Sequence, residues 1–246
     1  MSKSYDGLFL GLSKLKKGAL FMVFLEVFSL AGLLTILLWM GTHHYIIYAP
    51  EEITQDVVIR WYLSSQLFLY VMLVSGIIGL IILYKYWYRA AVHLEDYGWD
   101  RFEIGKMGVL LALVGGITLV AIVTGAAYIV STSSPRDYLY FHGPTTPNDI
   151  ISLYMMVSWL LTIPSFIGII LGVVGMMMFS IMLIRLSREN WASPNLHTAG
   201  ILLLMGVILS VPSILNILGW VLMIVANIII YIGAKESIEK LRIMST

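Results

Sequence analysis

The chain contains no cysteine among its 246 residues. Disulfides, zinc–thiolate sites, iron–sulfur clusters and cysteine nucleophiles are therefore excluded. Charge is the second scarcity: Asp, Glu, Lys and Arg make up 12% of the residues, against about 25% in an ordinary soluble domain. So few charges cannot cover a water-facing surface, and a soluble enzyme, a disordered tail and a nucleic-acid-binding domain all fall away. Fifteen Lys and Arg against fourteen Asp and Glu leave a net charge of +1, which gives nucleic acid or any other strongly charged partner nothing to read. Enzyme signatures are missing as well: no H-E-x-x-H, G-x-S-x-G or Walker sequence occurs.

What the chain has instead is apolar length. Hydrophobic residues make up 59% of it, and the mean hydropathy is +0.91. Uncharged runs occupy 27–50, 61–84, 107–135, 150–184 and 190–234, which is 24, 24, 29, 35 and 45 residues. A membrane-crossing helix needs roughly 20. Helix is the expected conformation, because a backbone in lipid must satisfy its own hydrogen bonds. The apolar run from Gly18 to Met40 outlasts the 7–15-residue core of a secretory signal, so it reads as a retained first span. The last run would extend about 67 Å as one helix, more than twice a hydrocarbon core of about 30 Å. Pro212 and Gly219 bracket its middle, and a proline that removes a donor followed by a glycine that admits positive φ predicts a reversal there.

The placement of positive charge tests that reading. Outside the apolar segments the Lys and Arg residues fall in groups of four, one, four, one, two and three. Such residues favour the cytoplasmic side. With six spans, thirteen lie inside and two outside; with five, the three C-terminal ones change sides. The expectation is an all-α polytopic membrane helix bundle, a single integral membrane domain over 1–246, with both termini cytoplasmic. Its six transmembrane helices fall at about 18–40, 62–84, 107–130, 151–184, 197–213 and 217–234. Pro164 is expected to kink the fourth, with Asn148 or Asp149 as its cap. Aromatic residues mark the predicted interfaces: Trp39, Trp61, Tyr62, Tyr138, Tyr140 and Phe141 outside, and Tyr84, Tyr86, Trp87, Tyr88 and Trp191 inside. The stretch from Tyr5 to Lys17 carries Leu8, Leu12 and Leu15 on one side, and is expected to lie along the inner interface.

Polar side chains within the spans are few. Glu26 is the only acid well inside one, about 12 Å beyond Gly18. A carboxyl at that depth is a functional candidate, as a proton relay or ion ligand, because charge in lipid is expensive. The competing reading is a packing contact with a polar group on a neighbouring helix. Gln66, Asn216 and Asn227 are the other strong polar groups in or near spans. His43, His44 and His142 fall in outer loops beside acids, but no H-x-x-x-H pair exists, and no metal site is expected. Met176, Met177 and Met178 point about 100° apart on a helix, so they read as packing rather than as soft-metal ligands. Glu95, Asp96, Asp100 and Glu103 alternate with Arg101 and Lys106, as on a solvated helix end.

Small residues at four-residue spacing allow helices to approach closely. They include Ala112 and Gly116, Ala121 and Gly125, and Gly168 and Gly172, of which Gly116, Gly125, Gly168 and Gly172 are the candidate packing positions. A faint repeat also runs through the chain. Lys17-Gly18-Ala-Leu20, Lys106-Met-Gly108-Val-Leu110 and His197-Thr-Ala-Gly200-Ile-Leu202 each open a helix entering from the cytoplasm.

The opening Gly11-Leu-Ser-Lys-Leu-Lys-Lys-Gly18, the Gly105-Lys-Met-Gly108 entry and the closing Gly200-Ile-Leu-Leu-Leu-Met-Gly206, Val211-Pro212 and Gly219-Trp220-Val-Leu together resemble an archaeal multi-pass membrane protein family, domain of unknown function 973. The resemblance covers most of the chain. It implies a plasma-membrane location, an archaeal source found mainly among thermoacidophilic crenarchaea, and no established activity, so no catalytic residue carries over. The outer loops 41–61 and 131–149 are longer and more aromatic than that family leads one to expect.

These features make a non-catalytic protein the expectation: an accessory or scaffolding subunit in the cell membrane, meeting the lipid bilayer and other membrane subunits through helix seams and outer loops. No cofactor is expected. The alternative is a small solute or ion transporter or channel with Glu26 in its pathway and the Pro212–Gly219 break as its irregular element.

Overall fold

A computed structural model describes residues 2–41, 55–97, 99–132, 147–211 and 215–244, and among them every regular element is helical. The elements are α1 (Ser2–Gly41), α2 (Gln55–Ile82), a π-helical segment (Leu83–Tyr88), α3 (Arg89–Tyr97), α4 (Trp99–Thr132), α5 (Pro147–Leu186), α6 (Asn195–Ser210) and α7 (Asn216–Met244). Because α2, the π segment and α3 run on without a break, they form one rod, and the described chain makes six rods in all. Among the described residues, four stretches are long and apolar enough to cross a membrane: Gln66–Tyr97, Phe102–Tyr128, Thr162–Leu186 and Asn216–Met244. The α6 helix is apolar but has 16 residues, about 24 Å, which is shorter than a hydrocarbon core.

The rods close into a ring. α1 packs on α2 and α3, that rod on α4, α4 on α5, α5 on α6, α6 on α7, and α7 back on α1. Three consecutive hairpins thus stand in cyclic order: α1 with α2 and α3, α4 with α5, and α6 with α7.

Buried stripes explain how the ring holds. Leu8, Leu12, Leu15 and Ala19 follow one face of α1, Phe179, Met182, Leu183 and Leu186 one face of α5, and Ala226, Ile230, Ala234 and Ile238 one face of α7. Each stripe keeps helical spacing. All of them, with Trp87, Leu94, Phe102, Leu196 and Leu203, join a single core. That core gathers the start of α1, the end of the second rod, the start of α4, the end of α5, the start of α6 and the end of α7. The same end carries Lys14, Lys85, Arg89, Arg185, Lys235 and Arg242, and we call it the basic end; both ends of the described chain lie there.

Several expectations change here. The stretch from Tyr5 to Lys17 does not lie apart along an interface: it is the first part of α1, and its leucines are buried against α3. Gly11 comes so close to α3 that a Cβ would stand 3.2 Å from His93 Cβ and 3.3 Å from the Ala90 carbonyl oxygen. Trp87 and Trp191 are buried rather than displayed at a headgroup level. Trp87 stacks on Phe179 at 4.5 Å, and Trp191 meets Tyr97 edge-on at 5.8 Å. The π segment is the local cause for Trp87, because i→i+5 bonding inserts a residue into the turn and changes which side chains face inward. Proline 147, not Asn148 or Asp149, opens α5, and Pro164 lies within that continuous helix. A proline at a helix start loses no bond that the helix needed.

The last uncharged run is divided between two helices, α6 ending at Ser210 and α7 beginning at Asn216, while Pro212 lies outside the described residues. Gly219, however, serves another purpose. It lies inside α7, and no described glycine has positive φ. A Cβ there would be 2.5 Å from Ser210 N and 2.7 Å from the Gly206 carbonyl oxygen, so its role is to let α6 and α7 touch backbone to backbone.

Candidate functional site

The polar contact of greatest chemical interest closes the ring. Asn227 on α7 is fully buried, and its Nδ2 donates to Glu26 of α1, at 3.0 Å from Oε1 and 3.1 Å from Oε2. The α1–α7 packing brings the two together across 201 positions of sequence. Depth could have found the pair: Glu26 lies eight residues beyond Gly18, and Asn227 eight residues before Lys235. Equal distances from the charged end place both side chains at one level, about 12 Å in. The amide nitrogen satisfies the carboxylate, but Asn227 Oδ1 is buried without a hydrogen-bond partner. An orphaned buried acceptor of that kind costs about 1–3 kcal/mol.

One turn farther along α1, Ser29 Oγ donates to Ser75 Oγ of α2 at 2.9 Å. α1 therefore carries a polar tie to each of its ring neighbours. Thr35, Thr118 and Thr124 return their hydroxyls to carbonyls of their own helices and tie nothing together. From Glu26 toward the basic end, the interior is filled by Ala19, Leu15, Trp87 and Phe179.

A second polar cluster lies at the basic end itself, where residues 187–194 turn the chain from α5 into α6. Ser193 N donates to Ser237 Oγ at 2.8 Å, and the Ser193 hydroxyl donates to Glu236. Asn195 Nδ2 donates to the same Glu236 oxygen at 2.9 Å, while Lys240 Nζ reaches the Ala192 carbonyl oxygen at 3.1 Å. Ser237 passes its own proton to the Gly233 carbonyl oxygen. This cluster fastens the turn onto α7, a role that the short Ser-Pro-Asn sequence hints at through its capping residues. Glu95, read above as solvated, is 2% exposed and pairs with Lys106 Nζ at 2.9 Å. This ion pair joins α3, which ends at Tyr97, to α4, which begins at Trp99.

The candidate glycines divide. Gly168 and Gly172 lie where α4 and α5 touch: a Cβ on Gly115 would be 2.5 Å from the Gly168 carbonyl oxygen and 2.6 Å from Gly172 N. The same seam continues through Gly108 and Gly175, each within 2.6 Å of the other's carbonyl oxygen by that measure. Gly116 faces α2, where a Cβ would be 2.8 Å from Leu80. A Cβ on Gly125 or on Gly172 itself would meet nothing within 4 Å. Gly105, Gly108, Ala112 and Gly115 are thus the residues of α4 that α5 packs against, with Met182 filling the space above Gly105. Met178 packs over Gly108 in the same way, and Met176 and Met177 pack against the core.

Among the described residues no group of three or more His, Asp or Glu side chains could hold a metal ion. His43, His44 and His142, Tyr138, Tyr140 and Phe141, and most of the outer loops lie outside the described residues. Gln66 is half-buried and Asn216 exposed, and neither is hydrogen-bonded to Glu26.

Fold and site together define a protein whose described residues form membrane-compatible helices, several of them joined by buried polar contacts. A family model described as "Protein of unknown function (DUF973)" matches residues 9–246, and the chain belongs to that family. No curated protein and no solved structure matches it.

Proposed function

We propose that the protein is a multi-pass protein of the archaeal plasma membrane, with both termini cytoplasmic, that works without catalysis as an accessory or scaffolding subunit of a larger membrane complex. The observation that carries this reading is the filled interior: the Glu26–Asn227 and Ser29–Ser75 pairs each join two neighbouring helices, and apolar side chains close the way from Glu26 to the basic end. A conduit needs a lined path. The α4–α5 and α6–α7 seams of small residues are consumed within the chain, while Gly125 faces open space and α2 offers a further uncovered surface, with Leu67, Tyr70, Met72 and Ile77 all exposed.

Purification in mild detergent, with identification of co-migrating proteins, tests the reading. A stoichiometric partner that is lost on Tyr70→Arg or Met72→Arg, with the thermal melt unchanged, is the expected result. A lone chain of 27.6 kDa that co-purifies with nothing would defeat it.

The second reading, a transporter or channel, is favoured by one observation: Glu26 is a carboxyl deep in the bundle beside an amide oxygen with no partner. Proteoliposomes that pass protons or cations, and lose the flux on Glu26→Gln, would establish it in place of the first.

A further inference from the structure

The outward face between α1 and α2 holds a groove of about 490 Å³, within the range of about 300–1,000 Å³ typical of ligand sites. Its walls are Phe21, Phe24 and Phe28 on α1 and Val74, Ile78 and Ile81 on α2. All six are exposed to the surroundings, Phe24 at 65%. Toward the basic end the groove stops at Lys85 and Tyr86.

Charge appears there on both walls at once. Lys14 Nζ lies 5.9 Å and Lys85 Nζ 5.8 Å from the centre of the Tyr86 ring. Neither lysine has a carboxylate partner among the described residues. On α1 the sequence 14, 17, 21, 24 and 28 keeps to one helix face, so Lys14 and Lys17 lead directly into Phe21, Phe24 and Phe28. On the second rod Val74, Ile78, Ile81 and Lys85 do the same.

A long apolar channel that ends in two uncompensated cations beside a tyrosine has the chemistry of an amphiphile with an acidic head. We propose that this groove is a binding site for one anionic phospholipid, its chain lying between α1 and α2 and its phosphate held by Lys14 and Lys85. The site goes beyond the subunit reading and stands whether or not a partner protein exists. Charge complementarity selects the occupant: a partner helix of ordinary apolar sequence would fill the groove but leave both ammonium groups unanswered. Basic residues next to apolar helix surface recognise acidic lipid heads in this way.

The test uses the full chain, purified in mild detergent, stripped of lipid and titrated with phosphatidylglycerol or phosphatidylcholine of identical chains, with bound lipid counted by native mass spectrometry. One phosphatidylglycerol should be retained with a preference of about tenfold or more over phosphatidylcholine. Lys14→Ala with Lys85→Ala should erase the preference while leaving the thermal melt in place. Ile78→Trp, which fills the groove from an exposed position, should reduce retention of both lipids. Inorganic phosphate should not displace the bound lipid, since the chain supplies part of the affinity. Equal retention of the two lipids, or retention untouched by either variant, would overturn the site. So would a change in oligomeric mass on Ile78→Trp with lipid retention unaltered, which would assign the groove to a second chain.

Discussion

The two ends of the bundle are built differently. At the basic end, large side chains are sealed in: Leu8, Leu12, Leu15, Trp87, Leu94, Phe102, Phe179 and Leu196 are at most 1% exposed. Farther along the same helices, Phe24, Phe28, Leu67, Val114, Ile117, Phe166 and Ile167 are between 51% and 65% exposed. On the membrane reading proposed above, one sequence composition serves two solvents. Water penalises exposed apolar surface and drives the first kind of packing. Lipid does not, so helices surrounded by it are held by close backbone approach and a few polar ties. Length agrees with that division: α1 has 40 residues, about 60 Å, or twice a hydrocarbon core. The excess length at the basic end is where the tightly packed core lies.

The largest effects should follow from attacking the sealed end. Trp87→Ala removes a ring stacked on Phe179 and should cost about 3–5 kcal/mol, read as a large fall in thermal midpoint in detergent. Phe24→Ala or Phe28→Ala, equal in chemistry but facing outward, should move the midpoint little. Equal losses from both kinds of substitution would erase the contrast between the ends. Gly108→Val belongs with the severe group, because its Cβ would stand 2.6 Å from the Gly175 carbonyl oxygen and 2.8 Å from Phe179 N, both backbone atoms that cannot step aside. Gly125→Ala should be silent, as its Cβ enters open space. A melt unchanged by Gly108→Val would mean that α4 and α5 do not meet as described.

Much of this contrast can be read in the sequence, and some of it cannot. Uncharged runs reveal helices because lipid leaves the backbone no other economical conformation; five of the six rods contain one predicted span each, whereas α6 ends at Ser210, short of the predicted 197–213. The division of the last run between α6 and α7 is visible for the same reason, since no single helix could use the whole run. What stays hidden is direction. Leu8, Leu12 and Leu15 form a stripe that suits an interface or a neighbouring helix equally well, and only α3 decides between them. Trp87 has the composition of a headgroup anchor, yet a π turn carries it inward. Glu26 is conspicuous by its charge, whereas Asn227 is not, and their meeting depends on α7 returning to α1 at the closure of the ring.

That closure gives the intermediate prediction. Asn227→Ala removes the donor to Glu26 seen among the described residues and should cost about 1–2 kcal/mol. Glu26→Gln keeps an acceptor for Asn227 and should cost less. A double-mutant cycle over the two positions, scored by unfolding in detergent, should show coupling; strict additivity would mean that the two side chains do not meet. The comparison with the sealed end is sharpened by size, since one buried ring there should outweigh the whole polar tie.

The smallest effect should come from Ser29 and Ser75. Their hydroxyls are 2.9 Å apart between α1 and α2, the pair of rods that leaves an open groove on its outer side. Hydroxyl ties between helices in lipid contribute roughly 0.6 kcal/mol on average, because a hydroxyl that loses its partner can turn to a carbonyl of its own helix. Thr35 shows that alternative on α1 itself, bonding the Ala31 carbonyl oxygen at 2.8 Å. Ser29→Ala with Ser75→Ala should therefore shift the thermal midpoint barely at all, while Gly32→Leu and Gly76→Leu should shift it clearly. Cβ atoms at those glycines would stand 3.3 Å from Val71 and 2.8 Å from Val120, so they mark where α2 is pressed between α1 and α4. If the two serines prove to matter as much as the glycines, polar bonding rather than close approach holds the exposed half of the ring, and the division between its ends would need a different cause.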